Sequence, residues 1–206
     1  ARLPVDPRIG RMILAAKEAG CLAEMLVIAS ALAVPDPRDR PLDKQQAADQ
    51  AHLRFRDERS DFLSLLVLWQ FFAEALSAKL SHRALVDGCR AHFVSYLRLR
   101  EWRDLHQQLC EQVRELGWRW TEALPGKVDD ARYIAVHKSL LAGLLSNVGF
   151  RSDEGDVYLG TRGIRFYLHP GSGLAKKAAK WVLAAELTET TRLYARNAAK
   201  IEPEWI

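Results

Sequence analysis

The sequence predicts an α+β chain in two parts, an all-helical bundle followed by a five-stranded barrel, and three observations predict it. Apolar residues recur at three- and four-residue spacing through residues 1–149, the period of helices that bury one face. After Gly149 the spacing shortens to two, the period of strands. That second stretch divides at glycines and polar clusters into five segments of strand length, with no linker before the first.

The helical part, residues 1–149, reads element by element. Asp6 and Pro7 form an N-cap and first-turn pair, Ile9, Met12, Ile13 and Ala16 make a stripe, and Gly20 is placed to end the helix. A second helix runs from Leu22 to Val34 and is apolar on most sides, which predicts deep burial. Pro35, Pro37 and Pro41 forbid helix and make a connector. A polar helix follows over 44–56, then the strongest core element, Phe62 to Ala78. There Phe62, Leu65, Leu66, Trp69, Phe72, Ala73 and Leu76 keep the helical spacing. Ser81 caps a short helix and Ser95 opens a long one reaching Leu116, with Tyr96, Leu99, Leu105, Leu109, Val113 and Leu116 inward. Residues 117–127 are a loop holding Trp118 and Trp120. Asp129 or Asp130 caps a last helix that ends near Asn147 and Gly149. The second part, 150–206, carries strands at 150–152, 157–160, 164–169, 181–187 and 191–200.

Composition bounds the function. At 206 residues and 49% hydrophobic content the chain has room for one large domain or two modest ones. The net charge of +4 permits an anionic partner without demanding one. Its distribution is sharper: residues 151–200 hold nine Lys or Arg against five Asp or Glu. Residues 36–61 hold six against seven, a balance that fits a soluble face or an intramolecular docking surface. Cys21, Cys89 and Cys110 are widely spaced with no C-x-x-C pair, and read as reduced, packed thiols of a cytoplasmic protein. No apolar run reaches the ~18 residues of a membrane span, and the amino terminus is not a signal peptide. The abrupt start at Ala1, Arg2 and Leu3 reads as the cut end of something longer.

No constellation for catalysis emerges. Gly155 and Gly160 have Walker-like spacing, but Thr161 and Arg162 follow where a P-loop needs Lys and a hydroxyl. Asp153, Glu154, Gly155 and Asp156 spell an acidic tetrad in a polar turn, whereas a metal-holding acid pair ends a buried strand. His52, His82, His92, His106, His137 and His169 never take a zinc-ligand spacing. His92, His106 and His137, in amphipathic helices, read as hydrogen-bonded structural groups. The chain is therefore expected to hold no metal or cofactor and to be no enzyme by itself.

Binding residues concentrate near the carboxy terminus. Gly171 and Gly173 allow close backbone approach to a ligand, or serve a tight connection. His169 in the same loop is either a donor to phosphate or sugar or a turn-stabilising side chain. Lys176, Lys177 and Lys180 follow as three ammonium groups that either attract a phosphate backbone or keep a charged loop soluble. On the last strand, Thr190, Arg192, Tyr194 and Arg196 fall on one side and Thr191, Leu193 and Ala195 on the other. A hydroxyl, two guanidinium groups and a ring in a row suit phosphate pairing and base stacking.

These strings are more specific than their composition. The run His169, Pro170, Gly171, Ser172, the segment Thr190, Thr191, Arg192, Tyr194, Arg196, and the ending Ile201, Pro203, Glu204, Trp205 resemble the OB-like domain of DEAH-box RNA helicases, in particular the bacterial HrpA-type branch. Gly171 departs from the commoner Ser. Residues 3–32, 35–52, 60–69 and 96–109 resemble the helicase-associated ratchet region of the same proteins, so the likeness covers nearly the whole chain.

The resemblance implies a ratchet-like domain over 1–149 and an OB-like domain over 150–206, five strands being the number an OB barrel requires. It implies an RNA-binding accessory module of an ATP-dependent helicase, with single-stranded RNA and the RecA-like motor domains of the same polypeptide as partners. ATP and Mg would belong to those motors, which this chain lacks, and the chain is expected to be a monomer. The RNA-binding set so implied is Arg165, His169, Ser172, Lys176, Lys177, Lys180, Thr191, Arg192, Tyr194 and Arg196; Thr191 with Arg192 would be presented at a bulge or strand end. The Arg98, Arg100 and Arg103 cluster would lie beside the RNA channel, or serve as a solvated helix surface. A protein-interaction module that docks on the motors or a partner, with little RNA contact, is the alternative.

Overall fold

In a computed structural model, which describes residues 6–177 and 179–206, seven helices precede five strands among the described residues. The start of the chain, on which the expectation of a cut end rests, lies outside them. Helix α1, Pro7–Ala19, begins as read: the Asp6 carboxylate accepts from the Arg8 amide, and Gly20 closes it in the left-handed region at φ 73°. Helix α2, Leu22–Leu32, is buried on nearly every side. The polar segment is shorter than expected. Only Gln45–His52 (α3) is α-helical, with tighter single turns at Leu42–Lys44 and Leu53–Phe55.

Helices α4, Asp61–Ser77, α5, His82–Ala91, and α6, Tyr96–Glu115, start at Ser60, Ser81 and Ser95, each of whose hydroxyls accepts an amide of the first turn. Helix α7, Asp130–Leu144, is capped by Asp129. Two side chains depart from the expected stripes. Ala73 is exposed, because the carboxy-terminal half of α4 runs out from the core. Trp102, absent from the expected inward set of α6, is fully buried, and its indole N–H donates to Val27 O and Ser30 Oγ at 3.0 Å each. It lies three residues after Leu99, so the same periodicity accommodates it.

The strands are β1 (Val148–Arg151), β2 (Val157–Gly160), β3 (Arg165–Leu168), β4 (Trp181–Glu189) and β5 (Leu193–Lys200). They close into a barrel in the order β1-β2-β3-β5-β4, antiparallel except for β3 with β5. Small residues permit the closure. Ala184, Ala195 and Ala198 surround Tyr158 and Phe166 inside, and a Cβ on Gly149 would stand 2.3 Å from the Phe166 ring.

The two parts share their packing. Val148, Leu183, Ala199 and Ile201 join the helical core. The Lys200 amide donates to Arg59 O at 2.7 Å, and the Tyr133 hydroxyl donates toward Arg59 O and Lys200 O at 3.0 and 2.6 Å. The end of the balanced stretch, from Arg59 to Asp61, is thus where the barrel docks. The free cysteines Cys21, Cys89 and Cys110 are buried, and among the described residues no helix is long and apolar enough to cross a membrane.

Candidate nucleic-acid interface

Pleating sorts β3 cleanly. Phe166 is fully buried and Leu168 packs on the barrel core, so Arg165, Tyr167 and His169 fall on the outer side. On β5, Ala195 faces in and Arg192, Tyr194 and Arg196 fall on the outer side. β3 and β5 run parallel with Tyr167 opposite Tyr194 and Leu168 opposite Ala195, and beyond β3 the His169 amide donates to Ala195 O at 3.2 Å, so the outer side chains of the two segments run side by side. The Tyr rings are 6.5 Å apart, His169 meets Tyr194 edge-on at 5.9 Å, and the Arg192 guanidinium covers Tyr167 at 4.7 Å. The result is a continuous row of cations and half-buried rings, the composition that holds a strand by its phosphates and bases.

One end of the row enters a cleft of about 820 Å³ between barrel and helices, where Arg38, Arg40, Arg56, His169 and Arg196 stand among the carboxylates of Asp36, Asp49, Asp61 and Glu186. Arg38 is paired with Asp36 at 2.8 Å and Arg40 with Asp49 at 2.7 Å. Among the described residues Arg56 and Arg196 form no ion pair. His169 takes the amide of Gly171 on Nδ1 at 3.0 Å, so its proton sits on Nε2. Burial lowers the pKa of this imidazole, and the charges of Arg196, Arg40 and Arg38 lower it further. It is therefore a neutral donor surrounded by guanidinium groups.

The floor of the cleft is Asp61, at the first position of α4. Its carboxylate accepts from Ser172 Oγ at 2.6 Å, Gly173 N at 2.7 Å and Ala198 N at 2.9 Å. Burial raises its pKa, opposed by these hydrogen bonds and by the Arg38 charge. A Cβ on Gly173 would lie 2.2 Å from Asp57 O, so the second glycine of the loop serves close approach to the helical part.

A family model described as the helicase associated domain (HA2), ratchet-like, matches residues 6–65, and one described as the oligonucleotide/oligosaccharide-binding (OB)-fold matches residues 136–206. The helical part thus matches a ratchet-like helicase-associated domain and the barrel matches an OB fold. Over all 206 residues it is 48% identical to the ATP-dependent RNA helicase HrpA of Escherichia coli and 47% to its homolog in Haemophilus influenzae. Over 207 aligned residues it is 28% identical to the pre-mRNA-splicing factor ATP-dependent RNA helicase prp22 of Schizosaccharomyces pombe. It spans 15% of the length of the two HrpA relatives and 17% of prp22. The matched region is the carboxy-terminal accessory part of these DEAH-box helicases and not their motor domains.

Within the OB fold the expected binding residues separate into groups. Arg165, His169, Arg192, Tyr194 and Arg196 belong to the row. Thr191 is exposed in the β4–β5 turn, where the Thr190 amide donates to Arg192 O at 2.9 Å, so Thr191 and Arg192 stand at a strand end. Ser172 is only 5% exposed and donates to Asp61, so its hydroxyl points inward and away from the row. Of the three ammonium groups, Lys177 pairs with Glu58 at 2.6 Å and Lys180 lies 5.5 Å from the Phe150 ring centre, while Lys176 is exposed. Arg98 is held by Asp39 at 2.9 Å and Arg103 lies 3.6 Å from Asp104. Trp118 and Trp120 pack against the helical core, covered by Lys17 at 4.3 Å and Arg114 at 5.2 Å. The acidic tetrad 153–156 is an exposed turn, and no group of three or more His, Cys, Asp or Glu placed to hold a metal occurs among the described residues.

Tyr167 and the cleft residues Arg38, Arg40, Arg56 and Asp61 were not among the sequence-derived candidates. Tyr167 had a signal, since it alternates with Arg165 and His169. The cleft residues had none, because they lie in a charge-balanced stretch and only folding brings them against His169 and Arg196.

Proposed function

We propose that this ratchet and OB region grips single-stranded RNA beside the motor domains of an ATP-dependent DEAH-box helicase. In this reading the motors hold ATP and Mg and step along the strand. The present region contributes a sequence-tolerant hold through backbone charge and ring stacking. The observation that supports it most directly is the paired row along β3 and β5, Arg165, Tyr167, His169 with Arg192, Tyr194, Arg196, one end of which opens into a cleft where Arg56 and Arg196 carry no ion pair among the described residues. Cations supply affinity without reading bases, and rings stack on any base. The lowered pKa of His169 fits a neutral donor to phosphate or sugar.

Docking on the motor domains is a second contribution, favoured by Leu159 and Ile164, which are 39% and 40% exposed on the barrel. Cytoplasmic location and a monomeric state belong to the same reading. The test is titration of a fluorescent single-stranded RNA across a salt series. Binding should weaken with a log-log slope of about −0.7 for each phosphate contacted. No binding at low salt would leave only docking.

A further inference from the structure

Asp61 belongs to the ratchet-like part, yet its hydrogen-bond partners come from two separate segments of the OB fold. Ser172 Oγ and Gly173 N belong to the loop that follows His169, and Ala198 N lies two residues beyond Arg196. Between Arg196 and Ala198, Asn197 adopts φ 52°, a left-handed conformation that Asn tolerates better than most residues, and this turns the Ala198 amide to the carboxylate. One helix side chain, 4% exposed, therefore fixes the backbone on the cleft side of both strands of the row.

We propose that Asp61 is a positioning residue for the RNA grip, setting His169 and Arg196 against Arg40 and Arg56 across the cleft so that ratchet and barrel present one surface. The proposal rests on the RNA reading above. The chemistry of the site makes the carboxylate hard to replace. Oδ2 receives a hydroxyl and an amide and Oδ1 receives an amide, so either oxygen, exchanged for NH₂, would oppose a donor with a donor and leave buried groups unsatisfied. Released from Asp61, the loop and the Asn197 turn would relax, and the cleft-facing pair would lose its fixed spacing while the Tyr167 and Tyr194 rings stayed in register.

The experiment is a binding cycle on the 206-residue chain with a fluorescein-labelled oligouridylate at fixed salt. It compares the wild type, Asp61→Asn, His169→Ala with Arg196→Ala, and all three changes together. The expected result is a loss of about tenfold for Asp61→Asn in the wild-type background and of less than about twofold where His169 and Arg196 are already gone, the non-additivity of groups that act together. An equal loss in both backgrounds overturns the positioning role and assigns Asp61 to folding alone. Wild-type affinity in the His169/Arg196 variant overturns the RNA reading of the cleft and takes the proposal with it, an outcome distinct from the first. Should circular dichroism find Asp61→Asn unfolded, Ser172→Ala, which removes one donor and keeps the carboxylate, runs through the same cycle. It should lose about threefold in the wild-type background only, and an equal loss in both backgrounds again overturns the proposal.

Discussion

Tyr167 and Tyr194 are partners across the parallel seam of the barrel, their rings 6.5 Å apart and the first covered by the Arg192 guanidinium. Both rings are half-buried, so each offers a face while its edge is held. Tyr167→Ala and Tyr194→Ala should each weaken single-stranded RNA binding by about 1–3 kcal/mol, the scale of one base stacked on a ring. The salt slope should hardly change, because no charge is removed. Fluorescence anisotropy across a salt series checks both statements, and a changed slope would mean that the rings act by ordering Arg192.

Removal of guanidinium groups should have the opposite signature. Arg192→Ala and Arg196→Ala each delete a cation of the row, and among the described residues neither pairs with a carboxylate. Each should reduce the magnitude of the log-log salt slope by about 0.7, with a thermal midpoint near that of the wild type because both strands keep their ladder bonds. A midpoint that falls together with affinity would make these groups structural.

Lys176 and Lys177 are adjacent in sequence and differ in role. Lys177 is held by Glu58 at 2.6 Å, and the hydrogen bond to Glu58 raises its pKa, whereas Lys176 is exposed. Lys177→Ala should leave RNA binding within about twofold of wild type and stability nearly unchanged, because an exposed ion pair contributes little to either. Lys176→Ala should weaken binding more than Lys177→Ala does. The reverse order would show that the Glu58 pair opens to release the ammonium group to RNA.

Much of this fold is legible in residue order because its determinants are local. Asp6, Ser60, Ser81, Ser95 and Asp129 each accept an amide of the following turn, and a cap is written within a few residues of the helix it starts. The change of period after Gly149 marks the barrel for the same reason. The site divides along the same line. The outer side of β5 follows from alternation, but the pairing of Tyr167 with Tyr194 is a parallel contact between segments more than twenty residues apart, and no local pattern encodes it. Ser172 is the instructive case: a hydroxyl in a Gly loop has the chemistry of a phosphate donor, and only the long-range approach of Asp61, 111 positions away, engages it inward.

The same loop makes a prediction about glycine. At Gly173 an added Cβ would stand 2.2 Å from the backbone oxygen of Asp57, whereas at Gly171 it would meet only the His169 ring at 3.2 Å. Gly173→Ala must therefore push the loop off the helical part, and should cost roughly 3 kcal/mol or more. Gly171→Ala needs only a small movement of a half-buried ring, and should cost less than about 1 kcal/mol. Urea denaturation of the two variants checks the ranking, and comparable losses would show that the loop is not clamped against residue 57.

Stability should depend on pH through His137, which lies fully buried at the joint between helices and barrel. Its Nδ1 donates to Tyr133 O at 2.7 Å, so Nε2 accepts from the Ser60 hydroxyl at 2.7 Å, and the ring stacks on Tyr133 at 3.8 Å. Both ring nitrogens are satisfied by the neutral form, and burial pushes the pKa down to about 4. With the unfolded-state value near 6.5, the contribution of the neutral ring is complete above about pH 6.5 and is lost as the pH falls toward 4, by roughly 3 kcal/mol. Burial also lowers the pKa values of His52, His106 and His169, so the whole chain should lose stability over this interval. His137→Asn isolates the largest share: it should be less stable than wild type at pH 7 and show a shallower decline between pH 6.5 and 4.5. Denaturant midpoints at three pH values measure the slope. An unchanged slope in the variant would assign the acid sensitivity to the other histidines and the paired carboxylates instead.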